Sequence, residues 1–383
     1  MIKKLILKFQ SSKQILEISL FYIEYLIRIN ESIENINLLL YVIKKSDNNT
    51  ENKLLKIEFI KRNNYIFTKK FNYNINMILS DIIFQILIYD ILSDDEIIKI
   101  SDIIIDNYIS TYDKLLGIYK FIYNKSNATI NENKTNYEND AKNNIKDFCD
   151  YKISLLKLLK VILIIFSNKS IKIPDKYSNI LMIMLEEIQI IIFLKNKFFI
   201  LNGSKYENNN CNFDNLIIEI IARICIYDKE KFIIVFNNFI ISNKLNTEEY
   251  IINIMNIIKE SLNLIQRSIN ILFLSIIIYT QGFNFLNNNY DLIFDLFLQI
   301  IDELNTPIKP EYLLKNKTEE ESLNIEKIEN NDNLLQMHNI KIDFIKTLDM
   351  VCKSNNVEIN MWINNLQIKD IKKQKLKDIL NIN

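Results

Sequence analysis

Apolar residues recur three and four positions apart in one segment after another along the chain, which is the period of an amphipathic α-helix. In the segment SKQILEISLFYIEYLIRI, which begins at Ser12, this spacing places one apolar set on one face: Ile15, Ile18, Tyr22, Leu26 and Ile29. The many isoleucines would also suit β-strands. The length of the segments and the charged residues at every third or fourth position favour helices, so we predict an all-α protein.

Two of the predicted helices have recognisable starts. SDDE at Ser93–Glu96 precedes IIKISDIII, and NTEE at Asn246–Glu249 precedes YIINIMNII. Each start combines a capping side chain with early acidic residues, which suit the positive end of a helix dipole. We therefore expect one helix to begin close to each of these sites.

The predicted helices come in neighbouring pairs of about 35 to 50 residues, a period typical of HEAT or armadillo repeats. We accordingly expect an α-helical solenoid, in which each pair stacks on the next. Residues 1–305 form the predicted array, with a polar loop insert near 124–144. Residues 306–333 are predicted to be a charged, disordered insert, and residues 334–383 to form C-terminal capping helices.

Composition narrows the possible functions. The 47 Lys and Arg balance the 47 Asp and Glu, which disfavours a nucleic-acid-binding protein. The three glycines form no phosphate-binding loop, the four cysteines form no C-x-x-C pair, and the single histidine has no nucleophile motif beside it. We therefore expect no enzyme, no cofactor and no metal site. The widely spaced cysteines suggest a reducing compartment.

The longest stretch without charge runs from Arg267 to Asp291. Only Ile269 to Tyr279 is strongly apolar within it, whereas a membrane-spanning helix needs about 20 apolar residues. We therefore expect a buried helix here and no membrane insertion.

Two features remain as candidate contact sites. The acidic triplet Glu319, Glu320 and Glu321 could attract a basic partner, although a solvated charge run is the simpler interpretation. Trp362, the only tryptophan, is expected to be buried at the end of the array, with a role as a binding anchor as the alternative.

The region FDNLIIEIIARICIYDKEKFIIVFNNFI followed by TEEYIINIMNIIKESLNLIQRSINILFLSIIIY resembles the C-terminal repeats of the importin-β (karyopherin-β) nuclear transport receptors, and the tail resembles the end of the importin-eleven branch. The matching positions are Ile254, Ile258, Leu264, Arg267, Ile271, Leu272, Leu274, Ile276 and Ile277. Ser268 stands where the family commonly has a second basic residue. Glu260 or Asn263 stands where it often has Asp. In this view Arg267 has a structural role.

The resemblance implies a superhelix that binds protein cargo and engages Phe-Gly repeats of nucleoporins while shuttling between nucleus and cytoplasm. Receptors of the family are more than twice this length, and their principal contacts to the GTPase Ran lie in N-terminal repeats. The resemblance therefore does not imply a complete Ran site, and we expect either part of a longer receptor or a reduced homologue. The alternative function is a HEAT-repeat scaffold in a protein complex without a transport role.

Overall fold

The computed structural model describes residues 1–29, 33–46, 49–63, 73–87, 92–127, 135–202, 214–260, 264–305, 332–337 and 339–380. Within these ranges the chain forms sixteen helices and no strand, so the predicted all-α class is confirmed. The contacts divide these residues into two compact units. Unit 1 extends to Ile162, and unit 2 begins at Leu163.

The helices of unit 1 are α1 Ile2–Lys8, α2 Lys13–Ile29, α3 Ile33–Lys45, α4 Thr50–Arg62, α5 Tyr73–Leu87, α6 Asp94–Asn127 and most of α7 Thr135–Lys169. The end of α7 belongs to unit 2, together with α8 Lys176–Asn202, α9 Asp214–Tyr227, α10 Lys229–Asn243, α11 Thr247–Glu260, α12 Leu264–Asn305, α13 Asn333–Met337, α14 Ile340–Ser354, α15 Ile359–Asn365 and α16 Asp370–Leu380.

Both predicted helix starts are confirmed. Helix α6 begins at Asp94, and the backbone N–H of Ser93 donates to the Glu96 carboxylate at 2.9 Å. Helix α11 begins at Thr247, and the side-chain oxygen of Asn246 accepts from the N–H of Glu249 at 3.1 Å. These bonds satisfy donors that a helix leaves unpaired in its first turn.

In unit 1, α3 packs against α1, α2 and α5, and α4 packs against α2 and α5. Lys56 of α4 is fully buried. Its ammonium donates to the carbonyl oxygens of Ile43 at 2.9 Å and Ser46 at 3.2 Å. The last carbonyls of a helix lack partners within the helix, and the C-terminal end of its dipole attracts a cation. Lys56 therefore closes the end of α3.

Helix α2 does not bury the apolar face that the sequence analysis picked out. The buried apolar residues are Leu16, Leu20, Ile23 and Ile27, whereas Ile18, Tyr22 and Ile29 of the picked face are exposed. Apolar residues occur around most of this helix, so the helical period alone does not determine which face meets the core. Contacts with α3 and α4 determine it.

In unit 2, α9 lies against α8, α10, α11 and α12, and α14 packs along α12. Most of α9 is buried, including its apolar residues from Ile217 to Cys225. Aromatic pairs join the other helices: Phe232 of α10 meets Phe273 of α12 edge-on at 5.5 Å, and Phe297 of α12 stacks on Phe344 of α14 at 3.8 Å between ring centres. Such pairs add to the stabilisation from apolar burial.

Helix α12 is interrupted at Gly282, whose φ is 79° and ψ −168°. A residue with a side chain adopts this conformation only with strain. By length and apolar composition alone, Ile265–Asp302 could cross a membrane. Within unit 2, however, its apolar side chains pack against α9, α11 and α14, in line with the buried helix expected here.

The structure shortens both inserts predicted from the sequence, near 124–144 and at 306–333. Around the first, α6 continues to Asn127 and α7 begins at Thr135, so only 128–134 lie outside the described residues. The predicted insert contains Lys, Glu and Ala, which are good helix formers, and this explains why both of its ends are helical. Residues 306–331 of the second lie outside them as well. Asp332, however, is described and fully buried, although the prediction placed it inside the insert.

Two of the four cysteines, Cys225 and Cys352, are buried free thiols. Cys149 is disulfide-bonded, which the sequence-based expectation of a reducing compartment did not anticipate.

Candidate protein-binding groove

An open groove of about 380 Å³ lies on unit 2 between α12 and α14, beside the junction of α9 and α10. Its apolar wall is built by Ile226, Leu272, Ile276 and Met350. We call this feature the α12–α14 groove. Its size and apolar wall are those of a site for one or two apolar side chains of a partner.

Helical spacing explains why these residues meet. On α12 the groove residues are Leu272, Ser275, Ile276 and Tyr279, and on α14 they are Asp343, Lys346, Thr347 and Met350. Residues three and four positions apart share a face of a helix. The neighbouring face of α14 carries the buried Phe344, Leu348 and Val351 and holds α14 in place, so the groove residues lie at the margin of the core.

The serine and threonine hydroxyl groups of the groove are already bonded within their own helices. Ser275 donates to the carbonyl of Ile271 at 3.0 Å, and Thr347 donates to the carbonyl of Asp343 at 2.9 Å. Their donors are thus directed at backbone and not into the groove. A ligand therefore meets a largely apolar wall.

The rim of the groove is charged and aromatic. The Lys229 ammonium lies 4.2 Å from the centre of the Tyr279 ring, a cation–π contact. Tyr279 and Met350 are each 48% exposed. Asp343 and Lys346 place opposite charges along α14. An exposed aromatic ring and a flexible thioether beside an apolar wall are typical of adaptable protein-binding surfaces.

The groove is lined by no histidine and no cysteine, and the two free thiols of unit 2 lie outside it. Burial raises the pKa of Cys225 far above its ordinary range, and burial together with the nearby Asp349 raises the pKa of Cys352 to about 11. Both thiols are therefore protonated at neutral pH and are poor nucleophiles. Among the described residues, no group of three or more His, Cys, Asp or Glu is arranged to hold a metal ion.

A buried charge cluster lies elsewhere in unit 2 and has a structural role. The guanidinium of Arg223 donates to Glu219 at 3.0 and 3.1 Å and to Asp332 at 2.5 Å, and all three side chains are almost fully buried. The two carboxylates raise the Arg223 pKa against the opposing effect of burial. Asp332 also accepts from the N–H of Leu334 at 3.1 Å. The cluster thus fastens the start of α13 to α9.

Two of the residues singled out from the sequence, Trp362 and Arg267, do not line the groove. Trp362 is buried between Phe283 and Phe294, and its ring N–H donates to Asn287 at 2.9 Å. Arg267 lies in the first turn of α12 and is buried. The triplet Glu319, Glu320 and Glu321 falls outside the described residues.

Sequence analysis missed the groove, because its wall is assembled from residues as far apart in the chain as Ile226 and Met350. Three of its four apolar wall residues, Ile226, Leu272 and Ile276, nevertheless lie within the region for which the sequence analysis proposed a resemblance to the transport receptors. Comparison with family models, curated proteins and solved structures finds no match to this chain.

Proposed function

We propose that this chain is a protein-binding helical protein that takes an apolar side chain of its partner in the α12–α14 groove. The observation that carries the proposal is the groove itself, with an apolar wall under a half-exposed Tyr279 and Met350. Its rim carries two lysines, Lys229 and Lys346, and one aspartate, Asp343, which favours a neutral or weakly acidic peptide over a basic one.

We further infer that the helices form a HEAT or armadillo-type solenoid. Support comes from packing between helices close in sequence, such as α8 with α9 and α10, or α9 with α10 and α11. In a solenoid each repeat contacts only its neighbours. Destabilising α14 should therefore speed amide hydrogen exchange in α12 to α16 and leave α8 protected. Equal acceleration throughout unit 2 would contradict the solenoid.

Within this class, we propose a nuclear transport receptor-like protein that binds protein cargo and moves between nucleus and cytoplasm. The resemblance around Arg267 supports this function, and the groove supplies a place for the phenylalanine of a Phe-Gly repeat. The ring would lie on Leu272 and Ile276 near Met350, the kind of buried aromatic anchor that dominates many interfaces.

Binding of a fluorescent Phe-Gly repeat peptide, followed by anisotropy, tests the site. Met350→Asp should weaken binding at least ~10-fold, because it puts a charge against an apolar ligand. Met361→Asp is the matched control: Met361 is 62% exposed on unit 2 but does not line the groove. We expect it to bind as the unchanged protein does. Equal loss in both variants would contradict a site in the groove.

A pull-down with Ran loaded with GTP or GDP separates the transport function from the alternative. GTP-selective binding to Ran would indicate a working receptor, and binding to the Phe-Gly peptide alone a C-terminal receptor half. If neither binds, the second candidate is favoured, a HEAT-type scaffold in a stable complex. Its support is the same groove, carried by helices that pack on one another in unit 2.

A further inference from the structure

The outward face of α2 in unit 1 carries five large apolar residues: Ile18, Phe21, Tyr22, Tyr25 and Ile29. Their exposed fractions run from 48% for Tyr22 to 67% for Phe21. At about 100° per residue they fall within an arc of roughly 100° along the helix. We call this surface the α2 stripe. Soluble proteins seldom leave such a continuous row in water without a partner for it.

The opposite face of α2 already anchors the helix in unit 1 through Leu16, Leu20, Ile23 and Ile27. The stripe is therefore not needed for the core. Each aromatic side chain can bury ~150–250 Å², so the five exposed residues together offer on the order of 500–600 Å² per chain. That is somewhat less than the ~800 Å² per partner of a standard interface. The area fits a weak, reversible association.

Four of the five residues of the stripe are placed symmetrically about a point between positions 23 and 24, whereas Phe21 has the half-buried Leu26 as its counterpart. Position 18 is as far from the centre as position 29, and 22 as far as 25, and each pair joins like residues: Ile18 with Ile29, and Tyr22 with Tyr25. A second copy of α2 laid antiparallel would therefore set Ile18 opposite Ile29 and Tyr22 opposite Tyr25. Such self-complementarity is what a two-fold symmetric interface requires.

Charges at the edge of the stripe favour the same arrangement. Glu17 and Arg28 are exposed and lie on the same flank, near opposite ends of the stripe. In an antiparallel pair the same flanks meet, and at 1.5 Å per residue Glu17 falls within ~3 Å along the axis of the second copy's Arg28. Lys13, which has the same charge as Arg28, falls ~9 Å along the axis from the second copy's Arg28. A parallel pair would instead set this flank against the uncharged one that carries Ile15 and Leu26.

We propose that the α2 stripe is a self-association surface, through which two copies of this chain pair antiparallel about a two-fold axis near position 23 or 24 of α2. Ile18, Tyr22, Tyr25 and Ile29 form the centre of the interface. Glu17 of each copy meets Arg28 of the other, whose guanidinium also donates to Glu24 of its own helix at 2.8 Å. The proposal is independent of the groove on unit 2.

Sedimentation velocity over a range of concentrations tests the association. We expect the unchanged protein to shift from monomer to dimer as its concentration rises. Tyr25→Glu should raise the dissociation constant at least ~100-fold, because it places two like charges in an apolar interface. Leu54→Glu is the matched control, since Leu54 is 54% exposed on α4 of the same unit. It should dimerise normally.

A chain that stays monomeric at every concentration overturns the proposal and assigns the stripe to another partner. A dimer that survives Tyr25→Glu, as judged on protein with an unchanged circular dichroism spectrum, overturns it too. Cross-linking tests the register. A mixture of Tyr22→Cys and Tyr25→Cys proteins should form disulfide-linked dimers faster than either variant alone. Faster linking of Tyr22→Cys to itself would contradict the antiparallel register.

Discussion

Replacing Asp332 by Asn tests whether the buried charge cluster holds the C-terminal helices of unit 2 in place. Asparagine keeps an oxygen that can accept from the N–H of Leu334, so the start of α13 keeps its cap. The negative charge that faces Arg223 at 2.5 Å is lost. The substitution therefore isolates the ion pair from the cap.

The expected cost follows from burial. Breaking a buried ion pair by removing one partner costs about 3–5 kcal/mol, because the remaining charge is left without full compensation. Arg223 keeps two hydrogen bonds to Glu219 in the variant, so we expect the lower end, about 3 kcal/mol. With a urea dependence of ~2 kcal/mol per molar, the unfolding midpoint of unit 2 should fall by ~1.5 M.

Trp362 makes the measurement specific for unit 2. It is the only tryptophan of the chain and is buried against Phe283 and Phe294, so its fluorescence in urea reports the unfolding of this unit. Asp349→Asn is the control, since Asp349 pairs with Lys353 at 2.6 Å on the surface, where such pairs contribute ~0–1 kcal/mol. Equal midpoints for the two variants would refute the argument from burial.

Two further predictions concern other parts of the fold. Burial alone would raise the pKa of Glu24, but hydrogen bonds and charges of its partners, Arg62 and Arg28 among them, lower it below its ordinary 4.5. The stabilisation by ionised Glu24 is therefore complete above pH 4.5 and is lost as the pH falls below it. Glu24→Gln should reduce the loss of stability at acid pH, measured by thermal melts at several pH values. An unchanged dependence of stability on pH would contradict this. Gly282→Ala forces a side chain into φ 79° and ψ −168°, a conformation that is almost restricted to glycine, with free space around it, so it should destabilise by about 1–3 kcal/mol. Gly117→Ala in α6 should instead stabilise by ~0.5–1 kcal/mol. The same sign for both variants in urea unfolding would contradict the strain.

The features that sequence reasoning predicted are local ones. The all-α class follows from the 3–4 spacing of apolar residues, and the starts of α6 and α11 follow from capping chemistry within four residues. The ion pair between Arg223 and Asp332 joins positions 109 apart, and no local pattern marks it. Apolar residues occur on two faces of α2, so its sequence does not determine which face is buried. The contacts with α3 and α4 determine it.

Local sequence patterns do not show the two proposed binding surfaces either. Tyr279 and Met350 are ordinary apolar positions in their helices, and they become a rim only because α14 packs along α12. The α2 stripe contains five residues that a helical pattern assigns to a core as readily as to a surface. Their exposure in the folded chain shows that they belong to the surface, because α2 packs into unit 1 through Leu16, Leu20, Ile23 and Ile27. A helix with two apolar faces thus needs two partners. One is the rest of unit 1, and the symmetric placement of Ile18 with Ile29 and of Tyr22 with Tyr25 indicates that the other is a second copy of α2.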